Sequence, residues 1–572
     1  MTSLRSVLIL LHVAWSQQPD SLTTLRAARR AQATFESIRQ QHLPYGSGHP
    51  SGPCDLRIGR FCYWYDEGDR EHAESEPGSI REARTTLLGA LDDAGAHLPG
   101  DAWIAGQRIR YLVEAGRVRA AVAAARECRT EGWWCAALLG LALHAAADFA
   151  GADSAFAAAL RDMPQPERCR WYDLSPLLPS ELRHRYERLS CDDRAAFESR
   201  WWWLATPLLS RPGNDRRTEH FARLTLARIG QTSRTAYGLS WGDDLRELLL
   251  RFGWPTYWTR EPSPSVTAPA PVIVGHDPTP AFHFFPSARA FDDPAGAGVD
   301  DWALATSHAP ERYAPIYADT FQTLEDQAAV FRRGDSCVVV AAYDLSDDVV
   351  LAYQSAQAAL VVARDEHSRV VTQQPARSDG ADVLRLSTPC EPQLLSLEIV
   401  ADRGRRVARV RHGIRPRGPS GGGLAVSDVL LFDPLPSLSP SDSLPGDLSA
   451  VLPHALGTTR VRADRKLGLF WELYGLTSPA ARVSASLALT PHGAGWLRRT
   501  AQSLGLASRT ATVSLHWEEL PAARAADVTV TSRALAVDLS ALSPGRYRIE
   551  LTVKAPGEEP ATAGREIELV RP

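Results

Sequence analysis

Lysine is almost missing from this chain of 572 residues. Lys466 and Lys554 are the only lysines among 63 basic residues, and the other 61 are arginine. Such a bias is typical of a GC-rich genome, so the abundance of arginine gives no argument for phosphate binding. The chain also lacks a large excess of either charge, because 67 acidic residues bring the net charge to -4. The composition excludes a general attraction to nucleic acid or to acidic lipid.

Motifs of catalytic and metal sites are lacking too. The sequence has no Cys-x-x-Cys, no His-Glu-x-x-His and no Walker loop, so it predicts no metal site and no nucleotide cofactor. Residues 418–422 match Gly-x-Ser-x-Gly, but a strand is predicted after them, where a nucleophile elbow needs a helix. His276, Asp277 and His283 lie near one another in sequence, without a third ligand or an identified base. We therefore predict no catalytic residue and no cofactor.

No apolar run is long enough to cross a bilayer, and the short run at the amino terminus predicts a signal peptide. Arg5 precedes an apolar stretch that ends at Trp15. Ala14 and Ser16 are small residues at the positions that signal peptidase accepts. Residues 1–16 are thus predicted to be a cleaved secretory signal, which makes the protein periplasmic or secreted, without an integral membrane span. The alternative is a frayed helix of a cytosolic protein.

Eight cysteines help to decide whether the protein is exported or cytosolic. Eight thiols allow about 105 pairings, and pairing between sequence neighbours is the simplest of them. Oxidised structural pairs fit an exported protein better than eight buried thiols fit a cytosolic one. The predicted disulfides are Cys54 with Cys62, Cys128 with Cys135, Cys169 with Cys191, and Cys337 with Cys390.

The first third of the chain, residues 17–165, is alanine-rich and predicts helices. Between Leu139 and Pro164, small residues occur where two helices would approach closely, and a shorter copy of this pattern precedes it. The stretch resembles the tetratricopeptide repeat family. That resemblance implies a concave scaffold that binds peptides or partner proteins and has no chemistry of its own. We expect a groove of this kind to be lined by Arg108, Tyr111, Trp133 and Trp134.

A second resemblance lies in residues 166–260. A Trp-Gly-Asp-Asp sequence is followed by a short apolar segment and by Arg-Phe-Gly-Trp-Pro. This resembles the bacterial GWxTD domain family, although Ser240 replaces the signature glycine and Asp243 the threonine. The resemblance extends over roughly residues 170 to 572 and implies an exported bacterial protein without an established activity. The matching positions are Trp241, Asp244, Arg251, Phe252, Gly253 and Pro255.

The second half of the chain differs from the first in composition and in its pattern of apolar residues. Prolines recur in residues 261–335 and predict an extended connector. Apolar runs of strand length and alternating segments then predict antiparallel strands in residues 336–415 and 424–572. Their spacing indicates two β-sandwich domains of immunoglobulin-like kind.

Together these patterns predict an α+β multidomain protein. A tetratricopeptide-like helical array is followed by a GWxTD-like module and by carboxy-terminal antiparallel β-sandwiches. Helical repeats and β-sandwich edges are binding architectures. The sequence therefore favours an exported, non-catalytic interaction or scaffold protein of the bacterial envelope, with a protein or an envelope component as its partner. The alternative is an envelope hydrolase or a carbohydrate-binding or carbohydrate-active protein, which 16 tryptophans and scattered carboxylates would suit.

Overall fold

A computed structural model describes most of the chain, and the predicted signal peptide lies outside the described residues. The chain divides into two compact units. We call residues 1–288 with 303–319 the helical unit, and residues 289–302 with 320–572 the β unit. The described residues are 18–46, 54–65, 75–261, 272–277, 281–304, 309–352, 354–377, 380–417, 423–434, 444–476, 482–491, 513–519 and 530–571.

Helices dominate the first half of the chain and strands the second, which confirms a mixed α and β protein. The helices of the described residues are α1 (Gln18–His42), α2 (Gly78–His97), α3 (Ala102–Glu114), α4 (Val118–Arg126), α5 (Trp134–Ala145), α6 (Phe149–Asp162), α7 (Gln165–Trp171), α8 (Ser180–Tyr186), α9 (Cys191–Ala205), α10 (Asp215–Gly230), α11 (Asp243–Phe252), α12 (Ala288–Asp292) and α13 (Leu448–Val451). Short 3₁₀ turns cover Pro294–Gly296, Val299–Trp302, Asp402–Gly404 and Leu452–His454.

Several helices of the helical unit begin at a side chain that accepts a hydrogen bond from a free backbone N–H. Asp101 caps α3, Asp148 caps α6, Ser190 caps α9 and Asn214 caps α10. These are the residue types that satisfy the first turn of a helix best. The caps fix where each helix starts and therefore which side chains face the core.

Helices α5 and α6 approach closely at Gly140. A β-carbon at this position would lie 2.6 Å from the ring of Phe156, so no larger residue fits without moving that ring. The sequence pattern placed a small residue at this helix contact, and the structure has it there.

Strands lie in both units, and most of them belong to the β unit. Strands β1 and β2 form one hairpin of the helical unit, and β3 and β4 form another. The strands of the described residues are β1 (Leu56–Ile58), β2 (Phe61–Tyr63), β3 (Tyr257–Glu261), β4 (Val272–His276), β5 (Thr320–Thr323), β6 (Gln327–Arg333), β7 (Ser336–Asp344), β8 (Ala356–Ala363), β9 (Arg369–Ala376), β10 (Ala381–Pro389), β11 (Gln393–Ala401), β12 (Arg406–Ile414), β13 (Ala425–Val426), β14 (Leu430–Phe432), β15 (Arg460–Arg462), β16 (Lys466–Tyr474), β17 (Val483–Pro491), β18 (Val513–Glu519), β19 (Val530–Asp538), β20 (Gly545–Lys554) and β21 (Ala561–Val570).

The described residues of the β unit form four sheets. The strand orders are β10-β7-β6, β5-β12-β11-β8-β9, β13-β16-β14 with β19 also paired to β16, and β15-β21-β20-β17-β18. Most neighbouring strands are antiparallel, and the pairs β5 with β12 and β15 with β21 are parallel. Short loops therefore suffice for most of the connections.

Strand β7 is buried on both faces, which explains its continuous apolar sequence. Val339 and Ala341 pack into a core with β8 and β11. Val340 and Ala342 point the other way and pack into a second core with Phe470 of β16. Alternate residues of a strand face opposite sides of its sheet, so an apolar residue is needed at every position here. The regions predicted as two β domains thus share a core.

The predicted connector differs from the structure at its carboxyl end. It was expected to reach residue 335, but β5 and β6 already lie in sheets of the β unit. Ala329 and Phe331 are buried on one face of β6, and this alternation places the segment in a sheet despite the prolines upstream. Residues 262–271, 278–280 and 305–308 of the connector lie outside the described residues.

The predicted pairing of the eight cysteines is confirmed. All four pairs of sequence neighbours are bonded, with Cα–Cα distances of 5.3, 5.6, 5.4 and 5.0 Å in chain order. Three bonds lie in the helical unit, and the Cys337–Cys390 bond joins the start of β7 to the end of β10 in the β unit. Within the described part of the chain, no helix is long and apolar enough to cross a membrane.

Candidate functional site

The residues of the GWxTD-like motif hold α11 against its neighbours. Asp244, at the start of α11, forms an ion pair with Arg60, which lies in the turn between β1 and β2. The Arg60 Nε–Asp244 Oδ2 distance is 2.6 Å. Arg60 and its hydrogen bonds lower the pKa of Asp244 to about 2. The carboxylate therefore stays ionised at any physiological pH and ties the disulfide-bonded hairpin to α11.

The other motif positions pack around the same helix. Phe252 stacks on Tyr63 of β2, with ring centroids 3.8 Å apart. Trp241 stacks near Trp254 at 6.4 Å, and Arg251 donates to the backbone carbonyl of Pro310. Gly253 ends α11 with a φ of +86°, a conformation that favours glycine.

Pro255 completes the motif by packing on β4. A β-carbon on Gly275 of β4 would lie 2.3 Å from the Pro255 ring and 2.5 Å from the hydroxyl of Tyr237. Glycine is therefore needed opposite this proline. These motif residues are explained by packing and by two ion pairs, Arg60 with Asp244 and Arg251 with Glu247.

Most of the residues predicted to line a groove are buried. Tyr111 is fully buried, and its hydroxyl donates to Glu36 at 2.6 Å. Trp133 and Trp134 form an edge-to-face pair beneath the guanidinium of Arg228. These three side chains pack in the core of the helical unit.

Arg108 differs from the other three predicted residues. Its side chain is about one third exposed and pairs with Asp92. The structure brings Trp133 and Trp134 together and leaves Arg108 as the accessible member of the set. A binding role for these four residues stays a prediction, and the burial of the aromatic three favours packing.

A cavity of about 250 Å³ lies elsewhere in the helical unit. Its walls come from the end of α1, from the residues that precede α2 and the first turns of that helix, from the end of α3, and from β3 and the residue before it. The lining residues are Arg39, Leu43, Pro44, Ser75, Glu76, Pro77, Ile80, Arg84, Glu114, Thr256, Tyr257 and Trp258.

Four charged side chains of this lining form one network, which we call the Arg–Glu network: Arg39, Glu76, Arg84 and Glu114. Glu114 accepts from Arg39 and, at 3.1 Å, from Nε of Arg84. Arg84 also binds Glu76 through both terminal nitrogens, with an Nη1–Oε2 distance of 2.7 Å. Two positive and two negative charges therefore neutralise each other at the cavity.

The network rests on a second layer of buried charge. Glu36 lies 3.5 Å from Nε of Arg39 and 3.5 Å from Nη2 of Arg110. The guanidinium of Arg39 also lies over the ring of Trp258, 5.1 Å from its centroid. Arginine suits such a place because its planar head can stack on a ring and bind carboxylates at the same time.

Ionisation of the network is fixed by these contacts. Burial alone would raise the pKa of Glu114, but Arg39, Arg84 and Arg110 hold it below its usual value. Burial alone would lower the pKa of Arg39, and the carboxylates of Glu114 and Glu36 outweigh it and raise that pKa. The charged forms therefore persist at neutral pH although the side chains are mostly buried.

Four buried polar atoms of the lining residues have no hydrogen-bond partner among the described residues. They are Nε and Nη1 of Arg39, Oε2 of Glu114 and the indole Nε1 of Trp258. A buried polar group without a partner is costly, so such groups usually mark bound water or a ligand.

The lining does not combine a nucleophile with a base. Its hydroxyl groups belong to Ser75, Thr256 and Tyr257, and the Thr256 hydroxyl donates to the backbone carbonyl of His276. None of the described residues of this lining is a histidine or a cysteine. Both of its carboxylates are held by arginines, and the pKa of Glu114, held below its usual value by Arg39, Arg84 and Arg110, makes that carboxylate a poor proton acceptor. The arrangement is suited to binding.

The sequence analysis missed the Arg–Glu network. Its members come from three helices and the residues before them, and charged residues are normally expected on the surface. One signal was available, because Arg39 follows Phe35 by four positions and so falls on the apolar face of α1. A charge on such a face marks a buried partner.

The histidines that stood out in the sequence have separate partners. Nε2 of His276 lies 2.8 Å from the hydroxyl of Thr259, and its ring stacks on Tyr257. His283 binds Glu311, which also binds the fully buried Arg216 of α10. Across the described residues, no group of three or more His, Cys, Asp or Glu side chains could hold a metal ion.

Comparisons with known proteins identify no family. No protein-family model and no curated protein sequence matches the chain. Solved structures similar to part of it include a red sea bream transglutaminase (11% identity, TM-score 0.14, 43% of this chain and 32% of that chain) and a bacterial ice-binding adhesin (8% identity, TM-score 0.14, 44% of this chain and 66% of that chain). The chain thus spans about a third of the transglutaminase. TM-scores this low carry no argument about fold or function.

Proposed function

We propose that the protein is an exported, non-catalytic binding protein of the bacterial envelope. The observation that carries the proposal is the cavity of the helical unit, with its Arg–Glu network beside aromatic and proline side chains. It has polar groups of the kind that orient a ligand, and the described residues of its lining include no nucleophile beside a free base.

Export is supported by the cysteines. Four disulfides between sequence neighbours persist in an oxidising compartment such as the periplasm. A signal peptide over residues 1–16 would deliver the chain there. In this proposal the protein acts after export, either in the periplasm or outside the cell.

The proposed architecture is a receptor followed by β-sandwiches. The helix pairs α3–α4 and α5–α6 agree with tetratricopeptide-like repeats, and the shared cores of facing sheets agree with immunoglobulin-like sandwiches. A divergent relationship to the GWxTD family is part of the proposal. The motif residues would then hold α11 and the disulfide-bonded hairpin β1–β2 together.

Site-specific photo-crosslinking in living cells tests the binding function. Thr256 is an exposed residue of the cavity lining, so a photoreactive benzoylphenylalanine at this position reaches a bound partner without disturbing the core. Thr86 is the matched control, because it is also an exposed threonine whose hydroxyl donates to a backbone carbonyl and it lies outside the lining. We expect an adduct with an envelope component at position 256 only.

Two results would contradict the proposal. Equal adducts at positions 256 and 86 would mean that the cavity has no special role. Recovery of the protein from the cytosol, with residues 1–16 still attached and eight free thiols, would contradict export.

A further inference from the structure

The solvent-facing side of α1 carries a cluster of arginines. Arg26, Arg29 and Arg30 are all exposed and lie within little more than one turn of this helix. They share one face, because residues three and four positions apart are neighbours on a helix. Arg234 is also exposed and lies beside α1, because its backbone N–H and carbonyl both bind the side chain of Gln32, at 3.2 and 3.0 Å. Four positive charges therefore lie on one surface of the helical unit.

These four arginines lack a counter-charge. Among the described residues, none of their guanidinium groups forms an ion pair. The exposed Arg170 and Arg228, by contrast, both pair with Glu167. From Ser21 to Phe35, α1 contains no acidic residue. The net charge of -4 excludes a general attraction of the chain to anions, and this surface provides a local one.

Apolar and aromatic side chains lie at the same surface. Leu22 is 58% exposed and precedes Arg26 by one turn. Trp103 is half-buried, and the guanidinium of Arg29 lies 5.4 Å from its ring centroid. The indole N–H of Trp103 donates to the backbone carbonyl of Thr232 at 3.2 Å, which fixes the ring beside the arginines. We call this surface the basic face of α1, and its members are Leu22, Arg26, Arg29, Arg30, Trp103 and Arg234.

The mixture of side chains on the basic face distinguishes between classes of anionic partner. An acidic polypeptide or a nucleic acid would use the arginines and would leave Leu22 in water. Surfaces that rest on a bilayer combine arginine with leucine and tryptophan, because the charges meet the headgroups while the apolar side chains reach the acyl boundary. The long stem of arginine allows both contacts at once. Charge complementarity and exposed apolar surface thus favour a bilayer with anionic headgroups.

We propose that the basic face of α1 docks the helical unit on a membrane surface that contains anionic phospholipid. The inference goes beyond the proposed binding function, since the basic face shares no residue with the cavity lining. The arginines bind lipid phosphate groups, Leu22 enters the acyl boundary, and Trp103 lies at the level of the headgroups. The attachment is peripheral and largely ionic, so it is reversible and weakened by salt.

Co-sedimentation of the full-length oxidised protein with lipid vesicles tests this assignment. The vesicles consist of phosphatidylcholine alone or of phosphatidylcholine mixed with phosphatidylglycerol, and the second kind carries negative surface charge. We expect the protein to sediment with the mixed vesicles only and to be released by high salt. A protein that stays in solution with both kinds, or that binds both equally, would overturn the proposal.

Charge variants connect vesicle binding to this face. The combined Arg26→Gln, Arg29→Gln and Arg30→Gln substitutions remove three exposed charges and leave the core untouched, so we expect affinity to fall about 100-fold. A matched control carries the same change at three exposed arginines of the β unit that also form no ion pair among the described residues: Arg385, Arg403 and Arg546. The control has the same net charge and should bind as the unchanged protein does. Equal losses in both variants would overturn the assignment to α1.

The apolar part of the face separates a membrane from a soluble polyanion. Leu22→Ser should weaken binding to the mixed vesicles about fivefold, because less apolar surface leaves water. Polyglutamate is the soluble probe, and binding to it without binding to vesicles would overturn the proposal in favour of an acidic polypeptide. Failure here is distinct from failure of the cavity, because an adduct at position 256 without vesicle binding removes only the docking surface, and vesicle binding without that adduct removes only the cavity's role.

Discussion

Glu114 of the helical unit, whose side chain is 15% exposed, and Glu472 of the β unit, whose side chain is 1% exposed, are carboxylates that differ in their partners. Glu114 binds Arg39 and Arg84, whose side chains are 1% and 7% exposed. Glu472 binds Arg333, whose side chain is 36% exposed, and accepts from the hydroxyl of Tyr474 at 2.9 Å. A charge that reaches water can lose its partner at small cost, and one that cannot becomes an uncompensated buried ion. The helical unit therefore depends on its charges more strongly than the β unit.

Removing one carboxylate from each unit should give the largest contrast. Glu114→Gln leaves two buried arginines without their shared counter-charge, and we expect a loss of about 4 kcal/mol in the helical unit. Glu472→Gln should cost only about 1.5 kcal/mol in the β unit, because Arg333 can turn towards water. Hydrogen exchange of peptides from α3 and β16 in the full-length chain measures both losses. Equal losses of stability in the two units would contradict the expected difference between them.

Removal of a disulfide should cost the β unit more stability than the helical unit, the reverse of the order expected for the carboxylates. The Cys337–Cys390 bond closes a loop of 53 residues and the Cys128–Cys135 bond a loop of 7. Loop-closure entropy then predicts a loss of about 4 kcal/mol for the paired Cys→Ala variant in the β unit and about 2 kcal/mol for that in the helical unit. Hydrogen exchange near each bond gives the comparison. A larger loss at the short loop would contradict the entropic explanation.

Acidification should lower the stability of the helical unit and raise that of the β unit. His220 of α10 is buried, and neither ring nitrogen has a hydrogen-bond partner among the described residues. Burial and the nearby arginines, Arg216 first, hold its pKa well below 6.5. Below pH 6.5, His220 therefore binds a proton in the unfolded chain but not in the folded chain. The helical unit should lose about 1.4 kcal/mol per pH unit in that range.

His412 of β12 has the opposite shift. Burial alone would lower its pKa, but the carboxylate of Asp326, 3.1 Å from Nε2, outweighs burial and raises it. Its contribution to the β unit is complete below pH 6.5 and is lost as the pH rises through the folded pKa. Exchange measured from pH 8 to 5.5 should become faster in α10 and slower in β12. His220→Phe and His412→Gln should each flatten the response of their own unit only.

The smallest expected effect concerns the motif ion pair. Arg60 is 41% exposed, so Arg60→Ala should cost less than about 1 kcal/mol. The pKa of Asp244 should rise from about 2 towards 3.8, which NMR titration of its carboxyl carbon detects. A loss of several kcal/mol would show that the motif aspartate carries more of the stability than the exposed pair explains.

Local sequence patterns predict strands of the β unit and helices of the helical unit alike. An apolar run around Val339 and alternation around Leu395 place two strands correctly, because both are local patterns. Neighbour pairing of the cysteines is local as well, and the structure confirms it. Helices follow from local spacing in the same way, as Phe35 and Ile38 of α1 do.

The cavity could not be predicted in this way. Arg39 and Glu114 are 75 positions apart and lie on different helices, so their contact depends on tertiary packing. Tyr111 and Trp133 were predicted to line a groove from their position in the helical repeats alone. In the structure they fill the core, and the charged residues of the Arg–Glu network look like ordinary surface charges in the sequence.

The central claim is that the Arg–Glu network is kept for binding rather than for stability. The double variant Arg39→Met with Glu114→Leu removes one charge of each sign and leaves Arg84 with Glu76 and Arg110 with Glu36. Replacing a buried ion pair by apolar residues is often neutral or stabilising by 1–4 kcal/mol. Photo-crosslinking at position 256 in this variant is the decisive measurement. The account predicts a folded helical unit at least as stable as before, with the adduct reduced to the level at position 86; an undiminished adduct would contradict it.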